Sequence, residues 1–159
     1  IQKGLSAFVS DQQNNPGRFN EFSYNGARVI VDFAHNAHSV AAVCDATAQI
    51  PAKRRFLMLS QPGDHSDHAI GEVTTNALEF RPDLIVTAEI ADHLRGRLLG
   101  ETTGVIRASA VAAGFSGDNI MAASSPSVGT KIILDKLEPD DLALLLVLSD
   151  RDAVFQSLA

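Results

Sequence analysis

The sequence predicts an α/β domain of the Rossmann-like class, with a mostly parallel sheet, helices on both faces and an antiparallel hairpin at one edge. Short apolar runs alternate with longer segments of helical character, which is typical of βαβ units. The clearest of these runs are RFLMLS (Arg55–Ser60), LIVT (Leu84–Thr87) and LALLLVL (Leu142–Leu148). Strands that are apolar at nearly every position indicate burial on both faces, as a parallel sheet requires.

The edge hairpin is the most specific local prediction. A short helix (Ile1–Val9) precedes two strand-like runs, Glu21–Tyr24 and Ala27–Val31, which flank an Asn25-Gly26 pair. Both residues of this pair tolerate positive φ, which a type I′ turn requires. The remaining elements alternate, with helices predicted at Ser39–Gln49, His68–Phe80, Glu101–Gly114, Ser127–Leu137 and Asp150–Leu158, and strands at Arg55–Ser60, Leu84–Thr87, Asn119–Ala122 and Leu142–Leu148.

The composition bounds the class of protein. With 159 residues, 45% hydrophobic and 20% charged, we expect residues 1–159 to form one globular domain. The net charge of −6 argues against a general nucleic-acid surface, since phosphate binding needs an excess of Lys and Arg. No apolar run approaches the ~18 residues of a membrane helix, and no signal peptide is recognisable.

The single cysteine and the first residue lead to two further expectations. Cys44 lies in an apolar run, so we expect a buried small side chain, no internal disulfide and a cytoplasmic protein. Because the chain begins at Ile1 rather than at methionine, we expect it to be a piece of a longer multidomain chain.

Polar side chains collect where each predicted parallel strand ends. The strand ends are followed by DFAHNAHS, QPGDHSD, AEIADHLRGR, ASSPS and SDRD in turn. In open α/β sheets, ligands bind beyond the carboxyl ends of the strands. Ser39, Ser66 or Asp67, and Ser125 are candidate helix N-caps, but capping requires neither arginine nor histidine. We therefore expect a ligand site along this edge.

Two histidine pairs are candidate metal ligands. His35 with His38, and His65 with His68, each have the three-residue spacing that zinc sites use. Because cysteine ligands are absent and both pairs fall where the chain enters a helix, we expect no dedicated protein-only metal site. A magnesium ion held mainly by nucleotide phosphates is the better hypothesis, since magnesium retains waters and takes few protein ligands.

The usual phosphate-binding motifs are absent from the sequence. It contains neither G-x-x-x-x-G-K-[ST] nor a G-x-G-x-x-G that follows a strand. If the domain binds a nucleotide, we expect it to form one wall of a site shared with another domain.

Four motifs, in order, resemble those of the C-terminal domain of the Mur ligase superfamily. PGRFN (Pro16–Asn20) and VDFAHNAHS (Val31–Ser39) are similar to the family's GR-[FL]-[NQE] and D-[YG]-A-H-N-P. QPGDHSDHAI (Gln61–Ile70) resembles G-x-G-D-R-x-D, and DHLRGRLLGE (Asp92–Glu101) resembles the D-x-L-R-G-R-x-x-G-E of the cyanophycin synthetase branch. The superfamily also includes the muramyl-peptide ligases and folylpolyglutamate synthetase, and the match extends over most of the chain.

The resemblance implies an ATP-dependent ligase that forms amide bonds. In this family ATP phosphorylates a carboxylate, and the amine of an incoming amino acid attacks the acyl phosphate. A central domain carries the P-loop and the catalytic magnesium ligands, while the C-terminal domain closes over the nucleotide. The implied partners are therefore that P-loop domain in the parent chain, an amino acid and a carboxylate-bearing peptide or polymer, with neither nucleic acid nor membrane. A homo-oligomer is implied only by analogy with the cyanophycin enzymes.

The family motifs also imply two groups of site residues. Arg18 would contact the ATP phosphates or ribose, because a planar guanidinium suits both the charge and the geometry. Asp32 would accept hydrogen bonds from ribose hydroxyls, and His35 and Asn36 would line the nucleotide. The side towards the incoming amino acid would contain Asp64, Arg95, Arg97 and Glu101. No catalytic residue is assigned to this domain.

Three positions depart from the family pattern. Ala37 replaces the usual proline and removes a rigid φ, His65 replaces an arginine, and Phe33 replaces a tyrosine.

Two other function classes remain open on sequence alone. One is a non-catalytic nucleotide- or amino-acid-binding module, and the other is a metal-dependent hydrolase that uses the His-Asp loops.

Overall fold

The computed structural model describes residues 17–159, so the predicted helix at Ile1–Val9 lies outside the described residues. Six strands form one sheet: β1 (Asn20–Tyr24), β2 (Ala27–Asp32), β3 (Arg55–Leu59), β4 (Leu84–Ala88), β5 (Ile120–Ala123) and β6 (Leu142–Leu146). Their spatial order is β1-β2-β6-β3-β4-β5. β1 is antiparallel to β2 and every other pair is parallel, which confirms the predicted edge hairpin on a parallel sheet. At the hairpin, Asn25 and Gly26 both have positive φ.

The sheet separates two layers of helices. The helices are α1 (Ala37–Ala48), α2 (Asp67–Ala77), α3 (Glu101–Ala112), α4 (Pro126–Leu134) and α5 (Arg151–Leu158). Alternate strand residues face opposite layers, so Leu144 packs with α1, α2 and α3, whereas Leu145 packs with α4 and α5. Helices on both faces of the sheet are thereby confirmed.

Two helices end three residues earlier than the sequence predicts, and the other helix boundaries differ by two residues or fewer. α2 ends at Ala77 and continues as a 3₁₀ turn over Leu78–Phe80, within the predicted range. α4 ends at Leu134, three residues earlier than predicted, and the chain tightens into i→i+3 hydrogen bonds. The apolar periodicity extended the prediction because Leu137 is still buried in the core beyond the end of the helix.

The connections of β2 and β6 open a crevice at the carboxyl edge of the sheet. These strands are neighbours, yet β2 leads into α1 on one face and β6 leads into α5 on the opposite face. Loops that leave adjacent strands in opposite directions create the position where open α/β sheets bind ligands. None of the helices within residues 17–159 combines the length and the apolar character needed to cross a bilayer.

Cys44 belongs to the core, as the sequence predicts. Its side chain is fully buried in α1, and burial raises the pKa of the thiol to about 12. A thiol with so high a pKa stays protonated at neutral pH and is a poor nucleophile.

An ion pair between the buried Asp141 and the partly exposed Arg54 stabilises the amino edge of the sheet. The Asp141 side chain is fully buried, and Arg54 donates to its two oxygens at 2.6 and 3.2 Å. The backbone N–H of Glu138 donates to the same carboxylate at 2.8 Å. Burial alone raises the pKa of Asp141, but the hydrogen bonds from Arg54 and Glu138 outweigh it, so the pKa lies below its usual value.

We expect Asp141→Asn to lower the free energy of unfolding at pH 7 by about 1–3 kcal/mol, because it weakens hydrogen bonds to a buried carboxylate. A carboxyl whose pKa is depressed by folding stabilises the protein above its unfolded pKa, and this contribution disappears as the pH falls through the folded pKa. The difference in the free energy of unfolding between the variant and the wild type should therefore become smaller below about pH 4. Urea unfolding at several pH values measures it.

The matched control is Asp140→Asn. Asp140 is the adjacent residue, but its side chain is 77% exposed and lies 3.9 Å from Lys53. An exposed ion pair contributes little, so this control should stay within about 0.5 kcal/mol of the wild type. Equal effects of the two substitutions, or a difference independent of pH, would contradict the assigned role of Asp141.

Candidate functional site

Asp32, at the end of β2, connects two segments of the carboxyl edge. One of its carboxylate oxygens accepts a hydrogen bond from the N–H of Phe19 at 2.8 Å. The other accepts from the N–H of Ala34 at 2.7 Å, and the residue is 8% exposed. The carboxylate thus joins the turn before β1 to the loop after β2. Its predicted contact with ribose hydroxyls stays a prediction.

The turn before β1 places Arg18 between two fixed neighbours. The N–H of Gly17 donates to Oδ1 of the buried Asn20 at 2.6 Å, and Asp32 holds Phe19 on the other side. Gly17 and Phe19 both have positive φ, which gives the tight turn. The side chain of Arg18 is exposed at the carboxyl edge, while its backbone is positioned on both sides.

An aromatic and cationic cluster lies beside this turn. The guanidinium carbon of Arg151 is 5.9 Å from the ring centroid of Phe33, and the ring of His35 is 5.5 Å from the same ring. A Cβ on Gly17 would lie 3.3 Å from Cδ of Arg151, so the arginine also packs over the turn. Arg151, the first residue of α5, therefore brings a cation to the ring of Phe33 and to the turn at Gly17.

Asn36 has a structural role that the sequence assigned to Ser39. Asn36, not Ser39, is the N-cap of α1, and its Oδ1 accepts from the N–H of Ser39 at 2.9 Å. The hydroxyl of Ser39 accepts in return from the N–H of Asn36 at 3.3 Å, which completes a capping box. Both residues favour N-caps, and only the backbone conformation distinguishes them. Ser125 caps α4, as predicted, and Ser66 rather than the alternative Asp67 caps α2.

A second group of residues comes from the loops after β3 and β4, which interlock. Arg97 donates to the carbonyls of Gly63 and His65 at 2.9 and 2.7 Å, and its guanidinium lies 2.7 Å from a carboxylate oxygen of Asp67. The N–H of Gly63 donates to the carbonyl of His93 at 2.8 Å. These contacts give Arg97 a structural role, and its predicted role towards an amino acid stays a prediction.

The other predicted residues of this group are more exposed. Arg95 lies 3.4 Å from the carboxylate of Asp64, and both side chains are about half exposed (51% and 49%). An ion pair of this kind is weak and can rearrange when a charged ligand approaches. Glu101, in the first turn of α3, accepts from the N–H of Leu98 at 2.9 Å. The structure therefore brings Asp64 and Arg95 into contact, with Glu101 further along the same loop.

Two buried polar residues at the strand ends were not among the predicted site residues. Gln61 follows β3, is 1% exposed, and its Oε1 lies 2.9 Å from Nδ1 of His65. Glu89 follows β4, is 6% exposed, and accepts from the N–H of Gly100 at 2.6 Å. A polar residue close after an apolar strand was the sequence signal available for Gln61 and Glu89.

The two groups lie at the same edge of the sheet. Neighbouring strands are about 4.8 Å apart, so the ends of β2 and β3, which only β6 separates, lie about 10 Å from each other. A cleft of about 460 Å³, lined by residues 148–153, opens at the end of β6 between them. A larger open groove, of about 540 Å³, runs between α2 and α3 and includes His68 and Glu72, whose side chains lie 3.7 Å apart.

Metal ligands are not grouped at this edge. Within residues 17–159, no three His, Cys, Asp or Glu side chains converge as a metal site would require. The residues that do meet there are cations, an aromatic ring and hydrogen-bonding groups, which suit an anionic, ring-bearing ligand such as a nucleotide.

We expect Asp32→Asn to weaken nucleotide binding about tenfold, because an amide is a weaker acceptor than a carboxylate for the N–H groups of Phe19 and Ala34. Calorimetric titration of the parent polypeptide with ADP measures the change. Asp45→Asn, an exposed substitution in α1, is the control. Unchanged ADP affinity in Asp32→Asn would show that the carboxylate does not position the turn that carries Arg18.

The fold is that of an α/β domain with a candidate site at the carboxyl edge of its sheet, and comparison with known proteins gives its family. The model of the Mur ligase, glutamate ligase domain matches residues 17–146. The chain therefore belongs to the Mur ligase, glutamate ligase domain family. This membership confirms the resemblance that the four sequence motifs indicated.

Curated relatives include cyanophycin synthetases, the branch that the fourth motif indicated, and a muramyl-peptide ligase. A cyanophycin synthetase from Synechocystis sp. is 32% identical over 106 residues, which cover 67% of this chain and 12% of the relative. A UDP-N-acetylmuramoyl-L-alanyl-D-glutamate--L-lysine ligase from Streptococcus suis is 39% identical over 57 residues, covering 35% of this chain and 12% of the relative. The chain thus matches only a small part of the length of each.

Solved structures support the same fold. A UDP-N-acetylmuramoyl-L-alanyl-D-glutamate--2,6-diaminopimelate ligase superposes with a TM-score of 0.70 at 12% identity, over 99% of this chain and 36% of that chain. A MurF ligase from Thermotoga maritima in complex with ADP gives a TM-score of 0.59 at 17% identity, over 99% and 35%. At these identities the likeness concerns the fold alone.

Proposed function

We propose that this chain is the C-terminal domain of an ATP-dependent ligase that forms an amide bond between a carboxylate and an incoming amino acid, in the manner of cyanophycin synthetase. The observation that carries the proposal is the pair of residue groups at one sheet edge, in a family member whose sequence has no P-loop. Such an edge suits one wall of a shared ATP site, and the parent chain would supply the P-loop domain.

The nucleotide side of the site would be the Arg18 turn and the β2–α1 loop. Arg18 would hold the phosphates with charge-assisted hydrogen bonds, while Phe33 and Arg151 would support the nucleotide beside it. Asp32 would hold the turn before β1 against the loop after β2 and would contact the ribose. His35 and the capped loop at Asn36 would lie against the nucleotide. The cations and the aromatic ring at this edge support this assignment.

The reaction proposed for the complete enzyme has two steps, and each transferred or leaving group is accounted for. The γ-phosphoryl group of ATP passes to the carboxylate of the peptide or polymer, and ADP leaves. The amine of the amino acid then attacks the acyl carbon, phosphate leaves, and the amine loses a proton. Mg²⁺ would neutralise phosphate charge when bound, held by the nucleotide and the P-loop domain, because residues 17–159 provide no ligand cluster.

The amino-acid side would be the interlocked loops after β3 and β4. The half-exposed Asp64–Arg95 pair presents both a carboxylate and a guanidinium, which can exchange their mutual contact for the ammonium and carboxylate of an amino acid. Arg97 would fix the loop geometry and Glu101 would orient the following turn. This assignment rests on exposure and on charge complementarity.

The test is a ligation assay with the purified parent polypeptide, ATP, a carboxylate-bearing acceptor and a panel of amino acids. We expect phosphate release only when both acceptor and amino acid are present, with one phosphate released for each amide formed. A non-catalytic binding module, the second candidate, is favoured by the missing P-loop and would bind nucleotide without releasing phosphate. That outcome would overturn the ligase proposal.

A further inference from the structure

The ring of His65, beside the proposed amino-acid side of the site, is held by a buried glutamine. Its Nδ1 lies 2.9 Å from Oε1 of Gln61, which follows β3 and is 1% exposed. The backbone of His65 is held as well, because Arg97 donates to its carbonyl at 2.7 Å and its own N–H donates to the carbonyl of Pro62 at 3.4 Å. Both the ring and the backbone of this histidine therefore have defined positions.

The contact with Gln61 determines which ring nitrogen carries the proton. An amide oxygen can only accept a hydrogen bond, so in neutral His65 the proton is on Nδ1 and the lone pair is on Nε2. Nε2 has no hydrogen-bond partner in the described part of the chain, and it is not one of the buried unpaired atoms there. Solvent therefore reaches this nitrogen, and its lone pair is available to accept a proton.

The charged side chains around this ring on the two interlocked loops are already paired. Asp64 pairs with Arg95 at 3.4 Å, and Asp67 pairs with Arg97 at 2.7 Å. The second histidine of these loops, His93, has Nδ1 at 3.3 Å from the guanidinium of Arg95. Because a guanidinium only donates, that contact occupies the lone pair of the second ring. Nε2 of the first ring is thus the histidine nitrogen of these loops that is left to accept a proton.

We propose that His65 is a catalytic base that takes a proton from the ammonium group of the incoming amino acid. This proposal rests on the proposed function, in which the adjacent Asp64 receives that ammonium group. The two residues belong to one turn, closed by the hydrogen bond to Pro62, so a group bound to the carboxylate of Asp64 would lie close to the ring. An imidazole titrates close to neutral pH, so it can take a proton and return it to solvent in each turnover.

The proposed step accounts for both protons that the ammonium group loses. Nε2 takes the first proton, and the nitrogen of the amino acid keeps the electron pair with which it attacks the acyl carbon. When the tetrahedral intermediate collapses, the bond between this carbon and the phosphate oxygen breaks. Phosphate leaves with that electron pair and with the second proton of the nitrogen. The imidazolium then releases its proton to solvent.

The residue type at this position distinguishes this chain from the family pattern. The pattern has an arginine where this chain has His65. A guanidinium stays protonated and cannot act as a base, whereas a neutral imidazole can. A base at this position is therefore a property of this chain, and Gln61 acts as its positioning residue.

The test is the pH dependence of amide formation by the parent polypeptide at saturating ATP, acceptor and amino acid. In the wild type, kcat should reach a plateau above about pH 8 and fall as the pH is lowered towards about pH 5, because a protonated ring cannot accept a proton. His65→Gln should lower kcat roughly 100-fold at neutral pH, and its kcat should continue to rise above about pH 8 as the amine loses its proton without help.

Two further variants separate a base from a structural side chain. His65→Arg, which restores the residue of the family pattern, should lose as much kcat as His65→Gln because it cannot accept a proton. In His65→Ala, imidazole added to the buffer should raise kcat roughly fivefold or more, because it supplies the missing base. The KM for ATP should stay within about twofold of the wild type in all three variants, since the nucleotide loops form a separate group of contacts.

The role of the buried glutamine is tested with Gln61→Met and Gln61→Glu. Loss of the acceptor in Gln61→Met should lower kcat about tenfold, because the ring is no longer held in one tautomer. Gln61→Glu retains an acceptor for Nδ1 and should recover most of the wild-type kcat. The matched control is His68→Gln, since His68 is 86% exposed and lies 3.7 Å from Glu72. This control should keep the wild-type kcat and pH profile.

The other outcomes separate the catalytic role from the ligase itself. Wild-type kcat in His65→Gln or His65→Arg, or an equal loss in His68→Gln, would overturn the catalytic role and leave the ligase proposal intact. A lower kcat with the plateau retained and no response to imidazole would show a structural role, which also overturns the proposal. If the wild-type polypeptide forms no amide with any amino acid, the proposed function fails and the catalytic base fails with it.

Discussion

Arg18→Ala is expected to reduce amide formation by the parent polypeptide roughly 100-fold or more, because it removes a positioned guanidinium from the phosphates on which charge develops. The backbone around Arg18 is fixed by the Gly17–Asn20 and Phe19–Asp32 hydrogen bonds, so the substitution should remove the side chain without moving the turn. Steady-state kinetics should show a loss of kcat as well as a higher KM for ATP. Thermal unfolding should change by no more than about 2 °C.

Arg28→Ala is the matched control for this prediction. Arg28 lies at the start of β2, its side chain is 47% exposed, and its guanidinium forms an ion pair with Glu21 at 2.8 Å. It is therefore another exposed arginine, at the opposite edge of the sheet from Arg18. Near-normal turnover in Arg18→Ala, or an equal loss in Arg28→Ala, would contradict the role proposed for Arg18.

Gly63→Ala is expected to have the largest effect on stability, a loss of about 2–4 kcal/mol in the free energy of unfolding. A Cβ at this position would lie 1.9 Å from the carbonyl oxygen of Leu94, which is backbone and cannot rotate away. The interlocked loops after β3 and β4 would have to separate, with loss of the Gly63 N–H bond to His93 and strain on the Arg97 contacts. Urea unfolding measures the destabilisation.

Gly104→Ala is the control, and we expect it to change the stability in the opposite direction. Gly104 lies inside α3, is exposed, and has no atom within 4 Å of the position of a Cβ. Alanine is a better helix former than glycine, so this variant should be more stable by about 0.5–1 kcal/mol. If Gly63→Ala were as stable as the wild type, the close approach of the two loops could not be a fixed feature of the fold.

Separation of the loops after β3 and β4 in Gly63→Ala should also disturb the amino-acid side of the site. If Gly63→Ala folds at low temperature, we expect its KM for the amino acid to rise more than its KM for ATP, because the nucleotide loops belong to a separate group of contacts. Kinetics at fixed ATP and varied amino acid measure this difference. An equal change in both constants would indicate general unfolding instead.

The sheet was predictable from the sequence because its central strands are almost uniformly apolar. Residues such as Leu144 and Leu145 face opposite helical layers, so both must be apolar, and an unbroken apolar run follows. The hairpin was equally clear, since Asn25-Gly26 has few other uses between two strands. Helix ends were less certain because Asn36 and Ser39 are both good caps.

The candidate site was only partly predictable. Motifs placed Arg97 with Asp64 and Arg95 on one loop group, but its hydrogen bonds to Gly63 and His65 depend on how the two loops pack. Arg151 was not selected because its relation to Phe33 requires α5 to return across the end of β2. Contacts between residues distant in sequence carry no periodic signal, so one sequence does not specify them.

The most direct test of the central claim is a structure of the parent polypeptide with bound ADP. We predict that the diphosphate lies within hydrogen-bonding distance of Arg18, with the ring system or ribose beside Asp32 and Phe33, and with a second domain on the other side of the nucleotide. A nucleotide bound remote from this edge, or held by this domain alone, would contradict the claim that the carboxyl edge is one wall of a shared ATP site.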